Sequence, residues 1–382
     1  MKLPQGFRTA GISAGLKRSG KRDLGLIMAD APLNWALVAT TNLVHAACVA
    51  RNRELSALDQ PVQALVINSG NANCSTGQEG IDDNLLMAES VARQAGLESG
   101  AEVLTASTGI IGQRMPIDRI VDALPQLETD LGDGSSAFAA AILTTDKVFK
   151  QVEVELQGGA RVVGVAKGSG MIHPNMATML AFVMTDARVS QAELRTMWSD
   201  VTARSFNQVT VDGDTSPNDM AFAFSSNRVD ADPTELHAAL QRVADELARK
   251  IARDGEGATK LITVQVSGAV NDEEARLAAR TVAGSPLVKS AVHGNDPNWG
   301  RIVVALGRSG AQFDPARARV DVQGVTVYDG APQPFDAAGA TELLRQEEVL
   351  IRVDLNAGDG SGNAWGCDLT AEYVRINADY TT

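Results

Sequence analysis

The chain has 382 residues, 44% hydrophobic and 21% charged, the composition of a soluble globular protein with enough apolar content for one large domain or two smaller ones. Its formal charge of −13 argues against a nucleic-acid footprint, which needs clustered Lys and Arg, while leaving room for a local basic pocket that takes an anionic substrate. Aromatic residues are only 4% and glycines number 35, so an aliphatic core and tight turns are expected.

The N-terminus, M-K-L-P-Q-G-F-R, lacks the apolar region of a signal peptide, and no run of about 18 apolar residues follows. A cytoplasmic location is the expectation. Strand-like segments come next at Leu24–Met28, Ala36–Thr40 and Ala64–Asn68. Residues 82–95 read as a helix with Leu85, Met87, Ala88 and Val91 inward and Gly96 as its stop. A strand at Glu102–Ala106 precedes a hairpin, in which Val152, Val154 and Leu156 alternate before a turn at Gly158-Gly159.

Ser190 and Glu193 form a capping-box pattern ahead of Leu194, Met197, Trp198 and Val201, an amphipathic helix. Residues 232–253 repeat that grammar, with Asp232 at the cap, Pro233 in the first turn, and a stripe of Leu236, Leu240, Val243, Leu247 and Ile251. Strands are then expected at Leu261–Val266, Ile302–Leu306, Arg319–Val322, Val325–Val327 and Val349–Leu355. Mixed strands, helices and hairpins point to an α+β or layered arrangement.

Familiar site chemistries find little support. Cys48, Cys74 and Cys367 are odd in number and form no C-x-x-C pair, so neither a disulfide framework nor a zinc site is indicated. The four histidines show no metal-ligand spacing, and no G-x-S-x-G elbow occurs. G-D-G-S-G-N-A-W-G at 358–366 precedes a strand-like tail instead of opening a helix, unlike a dinucleotide loop. D-G-D-T-S-P-N-D at 212–219 clusters carboxylates without a calcium-loop pattern and reads as a turn with Asx bonds.

Threonine chemistry remains. In G-S-G-M-I-H-P-N-M-A-T-M-L-A-F (168–182) the apolar stretch after the His-Pro-Asn turn holds one hydroxyl, Thr178, either as a packed core residue or as a nucleophile. A threonine at a chain N-terminus can use its own α-amino group, with a pKa of roughly 7.7–8, as the base. Thr178 reaches that state only if the Ala177–Thr178 bond is cut, for which attack of its own hydroxyl on the preceding carbonyl offers a route.

The stretch K-G-S-G-M-I-H-P-N-M-A-T-M-L-A-F closely resembles the self-cleavage motif of the ornithine acetyltransferases, also called glutamate N-acetyltransferases. N-S-G-N-A-N-C-S-T-G (68–77), A-S-T-G-I-I-G (106–112), I-L-T-T-D (142–146), D-G-E-G-A-T-K-L-I (254–262), S-P-L-V-K-S-A-V-H-G-N-D-P-N-W-G-R (285–301) and Y-V-R-I-N-A-D-Y-T-T (373–382) resemble that family in the same order. The resemblance implies a layered αββα sandwich of the autoprocessed, aminopeptidase-like type with a smaller C-terminal part from about residue 270. It also implies an α chain (1–177) and a β chain (178–382) assembled as an α2β2 heterotetramer.

The activity implied is transfer of acetyl from N-acetylornithine to glutamate through Thr178, in arginine biosynthesis. Acetyl-CoA is a second possible donor, and no metal or cofactor is implied. An autoprocessed amidase or aminopeptidase, in which water deacylates Thr178, is the alternative. By resemblance Thr108 and Gly109 supply the oxyanion hole, while Thr144 (or its neighbour Thr145), Lys167, Glu256, Asn377 and Thr382 contact substrate. Read from the residues alone, Lys167 suits a solvated strand end and Glu256 an exposed turn. A site on the C-terminus requires a docked tail, against the usual fraying. His173 and Asn175 are expected to shape the loop before the cut, and His293 is given no step.

Overall fold

A computed structural model describes residues 1–173 and 179–379 of the chain. Its first segment contains β1 (Phe7–Ile12), β2 (Leu24–Ala39), α1 (Ala47–Ala57), β3 (Val62–Asn71), α2 (Gly77–Ala95), β4 (Val103–Ile110), α3 (Ile117–Thr129), α4 (Ser136–Ala141), β5 (Lys150–Glu155) and β6 (Arg161–Lys167). The second opens with β7 (Leu180–Ala187), α5 (Gln191–Arg204), β8 (Val209–Thr210), β9 (Met220–Val229) and α6 (Pro233–Arg253). It continues through β10 (Leu261–Ala269), α7 (Asp272–Ala283), α8 (Pro286–His293), α9 (Trp299–Gly307), β11 (Arg319–Val322), β12 (Val325–Asp329), α10 (Ala337–Leu343), β13 (Glu348–Asp354), β14 (Gly360–Cys367) and α11 (Ala371–Asp379).

The two strands expected at 24–28 and 36–40 are one. β2 pairs with β1 and β3 through its first half and with β9 through its second. It crosses between them at exposed Asp30-Ala31-Pro32, where the β3 register slips and proline offers no ladder donor. The resulting order is β4-β3-β2-β9-β7-β6-β5, folded into two leaves by that crossing. β9 and β7, from the second segment, therefore lie between β2 and β6, from the first.

Side-chain alternation builds four layers. On the first leaf Leu24, Leu26, Met28, Ala64 and Val66 pack with Met87, Val91, Ile120 and Leu124 of α2 and α3. Their neighbours Ile27, Leu65, Ile67 and Leu104 turn the other way, onto Val163, Val165, Leu180, Phe182, Met220 and Phe222 of the second leaf. That leaf's alternate residues, Val162, Ala181, Val183, Ala221 and Ala223, meet Leu194, Trp198, Leu240, Val243 and Leu247 of α5 and α6. The layering is αββα, as expected. The aliphatic-core expectation needs one correction, because the middle of the sandwich holds an aromatic row. Phe182 meets Phe138 edge-on at 5.2 Å and stacks on Phe222 at 5.6 Å, which stacks on Phe224 at 5.7 Å.

A second sheet, β12-β11-β13-β10-β14-β8, packs one face on α7 and α9. Leu261, Trp365 and Cys367 belong to the cluster around α6, which joins this sheet to the sandwich. Ile302–Leu306, expected as a strand, is helical within α9. The Asn298 side chain accepts from the Arg301 N–H as its cap, and Ile302, Ala305 and Leu306 are buried at helical spacing. A five-residue apolar run cannot distinguish the two, and the cap decides it. The tail after 366 is likewise the helix α11, and the glycine-rich stretch before it lies in β14. Within α2, Met87, Ala88 and Val91 face inward as expected, but Leu85 is 46% exposed.

Candidate active site

β3 and β4 run parallel until Ser69 meets Thr108 and Gly70 meets Gly109, where a bulge ends the ladder. Gly109 has φ +136, and a Cβ there would lie 2.3 Å from the Gly70 carbonyl carbon, so only glycine fits. Both strands stop here, which leaves Thr108 and Gly109 at the wall of a cavity. Lys167, the last residue of β6, is 2% exposed rather than solvated, and its Nζ donates to Thr108 Oγ1 at 3.4 Å. Burial pushes the Lys167 pKa down, against the opposing pull of Asp146, Asp219 and Glu256.

A buried ionic network ties together the chain segments around Lys167. Lys150 Nζ donates to Asp146 Oδ1 at 2.7 Å and to Asp254 Oδ2 at 2.6 Å. Asp146 also accepts from the Gly168 N–H at 2.7 Å and the Thr144 N–H at 3.1 Å, while Asp254 accepts from the Lys147 N–H at 3.1 Å. One network therefore sets the I-L-T-T-D block, the start of the glycine loop and the D-G-E-G turn. Burial alone would raise the Asp146 pKa, but Lys167, Lys150 and the Gly168 N–H outweigh it and hold the carboxyl down to about 2.

Glu256 is buried, not an exposed turn residue. Its N–H donates to the Ser169 carbonyl at 2.9 Å, and a Cβ on Gly170 would sit 2.4 Å from its carboxylate. Asn377 Nδ2 donates to Glu256 Oε2 at 2.9 Å. The helix carrying Asn377 is docked: Thr370 Oγ1 donates to the Gly257 carbonyl at 2.8 Å, and the Tyr373 N–H donates to Thr370 Oγ1 at 3.3 Å.

Thr108, Gly109, Thr144, Lys167, Glu256 and Asn377 thus line one cavity, and Thr145 lines it beside Thr144. Ala177, Thr178, Asn175 and Thr382 lie outside the described residues. The described residues that flank 174–178 are anchored. Asp212 accepts from the Met171 and Ile172 N–H groups at 2.6 and 2.9 Å, and His173 Nδ1 lies 3.1 Å from Thr210 Oγ1. Met179 is buried at the entry to β7.

The 212–219 turn does contain the expected Asx bond, with the Asp214 N–H donating to Asp212 Oδ1 at 3.3 Å. Its last residues also form a cavity wall that the pattern did not reveal. Asn218 Nδ2 donates to the carbonyls of Ala72 at 2.7 Å and Ser107 at 2.8 Å, which fixes the amide orientation. Its Oδ1 is buried without a partner among the described residues. Asp219 is 1% exposed, and its Oδ2 is buried without a partner among the described residues. Burial pushes the Asp219 pKa well above the usual carboxylate range, with Lys167 opposing. The one signal available was an N-D pair directly ahead of the apolar M-A-F-A-F strand.

A model of the ArgJ family matches residues 8–382 of this chain. The chain belongs to the ArgJ family. It is 54% identical to the arginine biosynthesis bifunctional protein ArgJ of Thermus thermophilus, over the full length of both. Identity to the protein of the same name from Deinococcus radiodurans is 51%, covering 100% of this chain and 98% of that one. The crystal structure of ArgJ from Bacillus halodurans, 43% identical, covers 52% of this chain and 98% of its own, with a TM-score of 0.50. As an ArgJ-family member the chain is an acyltransferase of arginine biosynthesis. No described helix is long and apolar enough to cross a membrane.

Proposed function

We propose that this ArgJ-family chain transfers an acetyl group from N-acetylornithine to glutamate, with Thr178 as the intermediate carrier, and accepts acetyl-CoA as a second donor. The observation that supports it best is convergence. Six residues from β4, the 142–146 block, β6, the D-G-E-G turn and α11 meet at one cavity, and the segments flanking Thr178 are anchored beside it.

In this reading the precursor cuts itself between Ala177 and Thr178, giving chains 1–177 and 178–382 that stay together, pair as α2β2, and work in the cytoplasm. The freed Thr178 amine takes the hydroxyl proton as the oxygen attacks the acetyl carbonyl. Thr108 and Gly109 donate to the oxyanion that develops. The C–N bond breaks, ornithine leaves as the amine with that proton, and an acetyl ester remains on Thr178. The glutamate amine then attacks the ester, the C–O bond breaks, and N-acetylglutamate departs as the hydroxyl regains its proton. Lys167 suits a substrate carboxylate and Glu256 a substrate ammonium, with Thr144, Asn377 and Thr382 completing the contacts.

Two measurements test this. A denaturing gel of purified protein should show two bands near half size, and Thr178→Ala should show one full-length band with no activity. Glutamate-dependent transfer should exceed hydrolysis of N-acetylornithine; hydrolysis without transfer means an amidase and sinks the proposal.

A further inference from the structure

Between β1 and β2 the chain reads S-A-G-L-K-R-S-G-K-R (13–22). Four cations fall within six residues, with no acid among them, in a chain whose net charge is −13. The next residue, Asp23, acts on Lys17 at a distance but forms no ion pair with any of them. Its carboxylate accepts the N–H groups of Ala14, Leu16 and Lys17 at 2.6, 2.7 and 2.9 Å, and so shapes the loop.

The cations spend their donors on backbone. Lys17 Nζ donates to the Arg22 carbonyl, Arg22 to the Gly11 carbonyl, and Arg119, arriving from α3, to the Gly15 carbonyl. Arg18 and Lys21 are exposed. None of these five forms an ion pair among the described residues, whereas Arg114, close in sequence to Arg119, is paired to both Glu79 and Asp83.

The loop also packs on the strand end beside Gly109, which lines the candidate cavity. A Cβ on Gly70 would meet Lys17 Cγ at 3.2 Å and the Leu16 backbone at 3.6 Å, and Gly70 is the register partner of Gly109. Lys17 is partly desolvated there and pushed down to about 8, chiefly by burial; Asp23 opposes that, and Lys167 in the cavity adds to it. Holding like charges together with no ion-paired carboxylate among the described residues is unfavourable and points to an anion that completes the set. An amino-acid substrate brings one or two carboxylates, and the cavity already holds Lys167 for one of them. Four cations strung along a loop outside the cavity, with Arg119 reaching it from α3, match a longer, multiply charged ligand.

We propose that residues 17–22, with Arg119, dock the phosphates of a phosphorylated acyl donor, a coenzyme A thioester, whose acyl arm enters the cavity past Gly70 and Gly109. The proposal rests on the second-donor part of the function proposed above. The reaction it serves is balanced. The thioester C–S bond breaks, the acetyl group passes to the Thr178 oxygen, and the thiol leaves with the hydroxyl proton.

The test combines a binding and a kinetic readout on the double variant Arg18→Glu/Lys21→Glu, at exposed positions whose side chains are not needed for the loop's backbone bonds. Calorimetry with CoA should show binding to the unaltered protein that weakens roughly tenfold or more in the variant, and that weakens with added salt in the unaltered protein. The KM for acetyl-CoA should rise by a similar factor relative to the KM for N-acetylornithine. Equal CoA affinity in the two proteins, or no CoA binding by the unaltered one, overturns the docking site. If CoA binds through the loop but acetyl-CoA is not turned over, the docking site stands and the second-donor activity fails.

Discussion

Replacing Lys150 by Met removes the one ammonium that bridges Asp146 and Asp254 while keeping a side chain of similar length. All three side chains are at most 6% exposed, so solvent cannot take the place of the lost charge. Stranding the partners of a buried ion pair costs about 3–5 kcal/mol, and here two carboxylates are stranded. The acid limb of the stability curve gives an independent check. Asp146 is held at about 2 against a reference of 3.8, a depressed carboxylate. Its contribution is present above the unfolded pKa and is lost as pH falls through the folded one. At 1.36 kcal/mol per pKa unit this amounts to about 2 kcal/mol, fading between about pH 4 and pH 2. Without Lys150, Lys167 and the Gly168 N–H are left to oppose burial at Asp146, so its pKa rises and that loss on acidification shrinks. The assay is urea unfolding in a Thr178→Ala background, where the chain is expected to stay in one piece, at pH 7 and across the acid range. A cost below about 1 kcal/mol at pH 7, with an unchanged acid limb, refutes the assignment of the network as a buried, charge-balanced unit.

Gly170→Ala places a Cβ against the Glu256 carboxylate and should lower kcat/KM for transfer at least about tenfold with little change in melting temperature; steady-state kinetics beside a thermal scan decide it. Asn218→Asp keeps the shape but sets a carboxylate against two carbonyl acceptors, so a destabilisation of about 1–3 kcal/mol is expected in denaturant titration. Asn218→Ser should be milder on stability while still reducing kcat. Asp219 has a folded pKa raised by burial, so its charged form costs stability as pH rises through that value. Asp219→Asn should therefore melt higher than the unaltered protein at pH 8, with the advantage gone near pH 4; an advantage independent of pH contradicts the burial argument.

How legible this was in the sequence depended on whether a residue's role was local. The α6 stripe and both caps were legible because spacing alone encodes them. Asp232 accepts from the Thr234 and Glu235 N–H groups, and Ser190 and Glu193 form the reciprocal box. The hairpin at 150–167 followed from alternation and two glycines. β7 and the first part of β9 were not legible, because strands buried on both faces lose the period of two and resemble any apolar run. The site was legible only through its resemblance to a family. A lysine at a strand end and a glutamate between glycines look solvated until long-range bonds to Thr108 and Asn377 bury them. Asn218 and Asp219 gave almost no signal, since their roles depend on carbonyls at 72 and 107 and on burial near Lys167.

The strand order has a consequence for how the protein can fail. Strands from before residue 173 flank β9 and β7 on both sides, like fingers of two clasped hands. A cut at 177/178 would free no lobe, because each product supplies strands that the other needs on its ladder edges. It would, however, turn refolding from a one-molecule event into an encounter of two different chains. The uncut precursor should then recover from heat or urea at a rate independent of concentration, whereas the mature enzyme, once melted, should recover poorly and only as fast as its halves meet. Its durability would rest on slow unfolding more than on the depth of its free-energy well.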